Sequence, residues 1–157
     1  MINVIAAVAI EGTIGINGRL PWKLNADMKR FKELTWGGVV IFGVNTFTEL
    51  EKPLEGRTNV ILSHRVKSVD GAFVFDSFDA ALTFAKSLKK EIFICGGESV
   101  YKQAIPLADR LYITHVNESF DGDRHFPDIP SYFKCMSSRD ILDTGVSTTF
   151  RIYDRQN

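Results

Sequence analysis

One carboxylate, two glycine-ended strands and one arginine beyond a turn carry most of the chemistry this chain could do. Asp27 sits among apolar residues at helical spacing: Leu24, Phe31 and Leu34. Two readings of it are open. A first-turn acid that complements the helix dipole is the common one. A carboxylate on the edge of an apolar stripe would instead be a proton donor or the partner of a cationic ring. The segments Val40-Ile41-Phe42-Gly43-Val44-Asn45-Thr46 and Phe93-Ile94-Cys95-Gly96-Gly97-Glu98-Ser99 each run from an apolar strand through glycine into a helix start. Glycine lets backbone approach a ligand closely, and helix N-termini offer free N–H groups to phosphate. Each alone is an ordinary strand–helix turn; together they could hold a dinucleotide pyrophosphate. Neither is GxGxxG or a P-loop.

Arg57 follows Gly56 beside Leu50–Leu54. It is suited to bidentate carboxylate binding, or it is a solvated surface arginine. His64 and Arg65 follow the strand Thr58–Ser63, where they either meet an anion or serve as loop charges. His115 and His125 have no metal spacing and no nucleophile partner, and read as structural or polar-network residues. Cys95 and Cys135 lie in apolar stretches without CxxC or a nearby histidine cluster. That pattern argues against a metal site and for two reduced thiols in a cytosolic protein.

These residues need elements to position them. Ile2–Ala9 is a nearly continuous apolar run, the mark of a central strand covered on both faces. Gly12, Gly15 and Gly18 make a loop that ends at Leu20-Pro21-Trp22. Asn25 is placed to cap a helix that runs to about Leu34. Val39–Gly43 is a second buried strand, and Asn45-Thr46 leads into a short helix ending near Leu50. Pro53 and Gly56 mark a turn before strand Thr58–Ser63, and Phe73–Phe75 is a short fourth strand. Ser77 caps a helix over Phe78–Leu88, with apolar residues at 78, 81, 82 and 85. Glu91–Cys95 is a strand, Ser99–Ala104 a helix and Arg110–Val116 a strand. Tyr132–Leu142 and Ser147–Asp154, separated by Asp143–Gly145, look like a terminal hairpin. Strand–helix alternation followed by a hairpin implies a mostly parallel sheet with an antiparallel edge, whose ligands bind at the carboxyl ends of the strands.

The chain has 157 residues, 45% of them hydrophobic, which suits a single domain over 1–157 with a continuous core. The 19 basic and 19 acidic residues balance, so no bulk charge draws it to nucleic acid or to an anionic membrane. The apolar start MINVIAAVAI is interrupted by Glu11, short of the ~20 residues that span a bilayer. No signal peptide or membrane span is expected, and the location expected is cytoplasmic.

In order and spacing the chain resembles the dihydrofolate reductases over nearly its whole length. The shared segments are Ile5-Ala6-Ala7, Gly15, Leu20-Pro21-Trp22, Asp27 with Phe31, Gly43 to Thr46, Pro53-Leu54 and Gly56-Arg57-Asn59. They continue through Leu62-Ser63, Gly96-Gly97 with Val100-Tyr101, Leu111-Tyr112-Ile113-Thr114-His115, and Gly122-Asp123 with His125-Phe126-Pro127. Any one of these is weak, but the ordered set is highly specific. The resemblance implies an α/β fold with about eight strands, mostly parallel, an antiparallel C-terminal hairpin and about four helices on the two faces.

It also implies roles. Asp27 would bind the 2-amino group and N3 of a pterin, Thr114 would support that carboxylate, and Trp22 would hold an ordered water beside it. Met28, Phe31, Leu50 and Leu54 would wall the p-aminobenzoyl ring, and Arg57 would take the glutamate α-carboxylate. Ile5, Ala7 and Cys95 would line pterin and nicotinamide, with Ala6 giving backbone contacts. Ile14, Gly15, Asn17, Gly18 and Leu20 belong to a loop that would close over the nicotinamide. Gly43, Val44, Asn45 and Thr46, then Leu62, Ser63, His64 and Arg65, and then Gly96, Gly97, Glu98, Ser99, Val100 and Tyr101 would surround the rest of NADPH. The Gly96–Gly97 peptide is expected to be cis.

The implied reaction reduces 7,8-dihydrofolate to tetrahydrofolate for one-carbon metabolism and thymidylate synthesis. Hydride goes to C6, and water protonates N5 because Asp27 is too far across the ring. A monomer that takes dihydrofolate and antifolate inhibitors, without a metal, is expected. The nearest rival is a reductase of similar fold acting on a pyrimidine of riboflavin synthesis; Asp27, Phe31 and Arg57 together favour folate. A folate-binding protein without activity is the other, and Trp22, Asp27 and Thr114 argue against it. The position of Cys95 near the site predicts inhibition by thiol reagents.

The chain departs from many relatives in having Val44 in place of a basic residue, His64 directly after the serine, and Ser99 where some have arginine. Thr46, Ser63, His64 and Arg65 are left to take the phosphates. NADPH is still expected over NADH. Steady-state assays with each cofactor should give the higher kcat/KM for NADPH; equal values would show that this set does not clamp a 2′-phosphate.

Overall fold

The structure is a computed structural model that describes residues 1–15 and 21–157. Asn17, Gly18 and Leu20 of the expected loop lie outside the described residues. The first half of the chain holds strands β1 (Ile2–Val8) and β2 (Thr13–Gly15), helix α1 (Asn25–Thr35), β3 (Val39–Gly43), α2 (Val44–Leu50), β4 (Thr58–Leu62) and β5 (Ala72–Phe75). The second half holds α3 (Phe78–Ser87), β6 (Ile92–Ile94), α4 (Glu98–Ala104), β7 (Arg110–Val116), β8 (Arg124–His125), β9 (Phe133–Asp143) and β10 (Val146–Arg155). Single 3₁₀ turns at Ile10–Gly12 and Ile105–Leu107 join them.

Eight strands form one sheet in the order β5-β4-β3-β6-β1-β7-β10-β9. Every neighbouring pair from β5 to β7 is parallel, and β10 runs antiparallel to both β7 and β9. That is the expected mostly parallel sheet with a hairpin at its edge. The interior strands are apolar on both faces because helices cover both. Val39, Val40, Ile41 and Phe42 are all fully buried. On one face Val4, Ile41, Ile94 and Ile113 pack with Leu82 and Ala85 of α3 and Val100 and Ala104 of α4. On the other, Val40, Phe42, Ile61 and Phe93 pack with Leu34 of α1 and with Val44 and Phe47 of α2. Truncating Phe42 to alanine would cost about 3–5 kcal/mol, the usual range for a large buried aromatic.

The topology also locates the crevice. The connection leaving β1 goes toward β3, and the one leaving β6 goes the other way, to β7. The carboxyl ends of β1 and β6 therefore open where the winding reverses, the usual ligand position in such sheets. β2 and β8, three and two residues long, pair outside the main sheet and were not anticipated. Their sequences are too short to show a period.

One expectation fails at α1. Asn25 does not cap the helix; it is the first helical residue, and Leu24 at the cap position makes no side-chain bond. The free N–H groups are taken instead by the hairpin turn. Ala26 N donates to Asp143 Oδ1 and Asp27 N to Asp143 Oδ2, both at 2.9 Å, and Asn25 N donates to Thr144 Oγ1 at 3.1 Å. A carboxylate satisfies two N–H groups at once and complements the positive helix end, which an asparagine amide does less well. Asp143 is 3% exposed. Burial pushes its carboxyl up, but the N–H groups of Ala26 and Asp27, the Thr144 hydroxyl and the Arg30 charge outweigh this and hold it below its ordinary value.

Removing this cap should cost about 1–2 kcal/mol. Urea unfolding of Asp143→Asn should show that loss at pH 7. Because the folded-state value is depressed, wild type loses the contribution as pH falls through it, so the gap between the two proteins should narrow below about pH 4. A gap independent of pH would show that the carboxylate charge does not matter.

Candidate active site

Asp27 lies in the first turn of α1, on the face turned to β7 and β10. Thr114 on β7 pairs directly with Phe150 on β10, so both side chains stand on that face of the sheet. Thr114 Oγ1 donates to Asp27 Oδ1 at 2.5 Å. Arg30 Nη2 donates to the same oxygen at 3.0 Å, and to Thr114 Oγ1 at 3.0 Å. The Arg30 guanidinium lies 3.9 Å above the centre of the Phe150 ring, a cation–π arrangement. Asp27 is therefore not merely a first-turn acid. It is a half-buried carboxylate held by a hydroxyl from the sheet and a cation one helical turn away.

These residues border a cavity of about 170 Å³ that is also lined by Ile5, Ala6, Ala7, Phe31, Cys95 and Tyr101. Beside it runs a cleft of about 1460 Å³. Every described residue expected around the cofactor lines that cleft: Ala7, Ile14 and Gly15; Gly43 to Thr46; Leu62 to Arg65; and Cys95 to Tyr101. Ala7, Cys95 and Tyr101 border both spaces, so the two meet at the ends of β1 and β6.

The glycine turns show why glycine is needed there. Gly43 N donates to Gly96 O at 2.9 Å, joining the ends of β3 and β6. Gly96 has φ +114°, and the Gly96–Gly97 peptide is cis, as expected. A side chain on Gly97 would stand 3.5 Å from Thr46 Oγ1, narrowing the passage between the two helix starts. Tyr101 closes the back by donating its hydroxyl to Ile5 O at 2.8 Å. Glu98 at the start of α4 accepts the His125 N–H at 2.6 Å and pairs with Lys102 at 3.3 Å, tying β8 to the cleft rim. Its carboxyl lies below the usual range, first because of that backbone hydrogen bond.

Other expected residues stand further out. Trp22 packs edge-on against Phe120, ring centres 5.2 Å apart, and lines the cleft with Met28, which is 58% exposed. Leu50, Leu54 and Arg57 border neither space. Leu54 packs against the cluster of Val40, Phe42, Ile61 and Phe93, and Leu50 is exposed. Arg57 is braced: Nη1 donates to Thr35 Oγ1 at 3.1 Å and Nε to Glu55 O at 2.9 Å, with Trp36 5.6 Å away. His115 meets the Tyr153 hydroxyl at 2.9 Å, the polar-network role expected of it.

Sequence reasoning passed over Arg30, Phe150 and Arg124. Arg30 was legible as a cation three residues after Asp27. Phe150 depends on hairpin register and Arg124 on the unforeseen β8. Asp76, Ser77, Phe78 and Asp79 also line the cleft, and their place after a parallel strand could have suggested it. Among the described residues there is no cluster of metal-ligating side chains, and no helix is long and apolar enough to cross a membrane.

A dihydrofolate reductase family model matches residues 1–155. The chain is 41% identical over 129 residues to a type 3 dihydrofolate reductase of Salmonella typhimurium, covering 82% of this chain and 79% of that one. It is 37% identical over 127 residues to the dihydrofolate reductase of Haemophilus influenzae, with 81% and 79% covered. A solved dihydrofolate reductase from Enterococcus faecalis, complexed with NADP(H) and RAB-propyl, superposes with a TM-score of 0.93 at 32% identity, over 100% of this chain and 97% of that one.

Cys95 is half-buried and borders both spaces, but its thiol is poorly ionised. Burial pushes its thiol far above the ordinary value, with only the Arg57 charge acting the other way. The thiolate is the reactive form. Peptide mapping after iodoacetamide treatment at pH 7.5 should find the label on exposed Cys135, with Cys95 unlabelled and activity retained.

Proposed function

The chain belongs to the dihydrofolate reductase family, and on that premise we propose that hydride passes from NADPH to C6 of 7,8-dihydrofolate where the two spaces meet. It is an NADPH-dependent reductase of dihydrofolate. The observation that carries the detailed reading is the carboxylate of Asp27 at one end of a pocket that opens, past Ala7 and Cys95, into a cleft large enough for a dinucleotide.

The cleft fits NADPH by its donors as well as its size. Thr46 borders Gly97 where the two glycine turns meet, the place for a pyrophosphate. Ser63 Oγ accepts the N–H groups of Arg65 and Val66 at 3.2 and 2.9 Å and keeps its own proton for an anion. His64 and Arg65 are exposed beside it and would hold the 2′-phosphate, a task in which Val44 takes no part. Bound there, the cofactor supplies the hydride.

The protein does the positioning. Asp27 binds the 2-amino group and N3, Thr114 fixes the carboxylate, and Ala7 and Cys95 set the spacing between the rings. Phe31, Met28, Leu50 and Leu54 follow the p-aminobenzoyl group toward Arg57, which takes the α-carboxylate. Trp22 holds the water near Asp27, and water delivers the proton to N5. Asp27 acts by orientation and charge, since a fixed charge in a dry pocket stabilises a developing cation far more than it would in water. Antifolates would enter the same pocket, and the product would serve one-carbon transfer.

Consumption of NADPH with dihydrofolate, blocked by an antifolate, tests the activity. Asp27→Asn should lower kcat near pH 7 by on the order of 10²-fold, the usual effect of removing a preorganised charge, with an unchanged fold. Undiminished turnover in that variant would reject the role given to Asp27.

A further inference from the structure

Arg30 gives the pocket a property that a lone carboxylate would not have. Its guanidinium shares Oδ1 of Asp27 with the Thr114 hydroxyl, and it lies over the Phe150 ring. The Arg30 side chain is only 16% exposed and that of Asp27 24% exposed, so water screens the pair weakly. While they are paired, the Arg30 charge offsets that of Asp27, and the carboxylate turns its charge to a ligand only when that ligand displaces Arg30 from Oδ1. Each carboxylate oxygen offers about two lone-pair sites, so Oδ1 is filled, while Oδ2 receives no hydrogen bond from the described residues.

A heterocycle that presents two adjacent N–H groups needs both oxygens, and must displace Arg30 from Oδ1. The ring of Phe150 gives the guanidinium somewhere to stay, so the cation remains at the pocket wall. A ligand that arrives neutral meets little opposition from it. A ligand that brings its own positive charge to Asp27 meets a like charge in a partly dry space, where repulsion is strong. We propose that Arg30 is a specificity-determining residue that turns this pocket against cationic heterocycles and toward neutral ones. The proposal rests on Asp27 being the residue that receives the heterocycle.

The test compares two ligands in four proteins. Dissociation constants are measured with oxidised cofactor present for dihydrofolate, whose pterin is neutral, and for a 2,4-diaminopyrimidine, which is protonated on its ring when it binds a carboxylate. The proteins are wild type, Arg30→Met, Arg30→Gln and Arg30→Lys. Loss of the charge in the Met and Gln variants should shift the ratio of the two constants by on the order of 10²- to 10³-fold in favour of the diaminopyrimidine, the scale expected for like charges about 4–6 Å apart near a protein surface. Arg30→Lys should restore the ratio to within about threefold of wild type. A role confined to bracing α1 against the sheet would move both constants together, and that result overturns the proposal. So does an unchanged ratio, or a Lys variant that behaves like Met. If Met does not fold, the Gln and Lys pair decides. Reduction of dihydrofolate by wild type tests the underlying role of the pocket separately, so its failure is not mistaken for failure of the proposal.

Discussion

A carboxylate set against an apolar sheet must find donors within the protein, and much of this molecule is arranged around that requirement. Burying such a group without partners costs several kcal/mol. Asp27 finds two on one oxygen, from a strand and from its own helix. To supply them, β7 must present Thr114 toward α1, and β10 must lie beside β7 in the register that puts Phe150 under Arg30. The antiparallel hairpin is thus more than an edge cover. Its outer turn caps the helix that carries Asp27, and its inner strand supports the cation that faces it.

The same economy governs the junction of the two spaces. Parallel strands wound in opposite directions leave a gap beyond their carboxyl ends, and here the gap is lined by β1 and β6. Small residues keep it open: Ala7 on one side, Gly96 and Gly97 on the other. Larger side chains close what must be closed, as Tyr101 does by reaching across to Ile5. Shape is set by the sheet and charge by the helices, so the pocket and the cleft can differ in polarity while sharing a wall.

Much of the fold was legible because buried parallel strands are written as unbroken apolar runs. Val39–Gly43 and Arg110–Val116 match the observed strands end for end, and Ser77 caps α3 as its sequence implies, accepting from Ala80 N at 3.1 Å. What escaped depends on distance along the chain. Nothing near Asp27 shows that its N–H is taken by a residue 116 positions later. The β2–β8 pair is too short to have a pattern. Most of the cleft was legible because the ordered motifs of a known family mark it. Arg30 is a residue on which those motifs are silent; its spacing after Asp27 hints at a pair, and the geometry shows that pair set against Phe150.

The bond between Asp143 and the start of α1 has a consequence for how the protein is made. Residues 25 to 30 leave the ribosome well before the hairpin does, yet their anchors lie at Thr114, Asp143 and Phe150. A nascent chain ending before the hairpin can collect much of its parallel core but has neither the helix cap nor the wall opposite Asp27. Contacts that join such distant positions are slow to form, because a long loop must be closed first. The pocket therefore comes into being with the last strands. A molecule that binds it recognises only chains whose hairpin is in place and draws the folding equilibrium toward them by mass action.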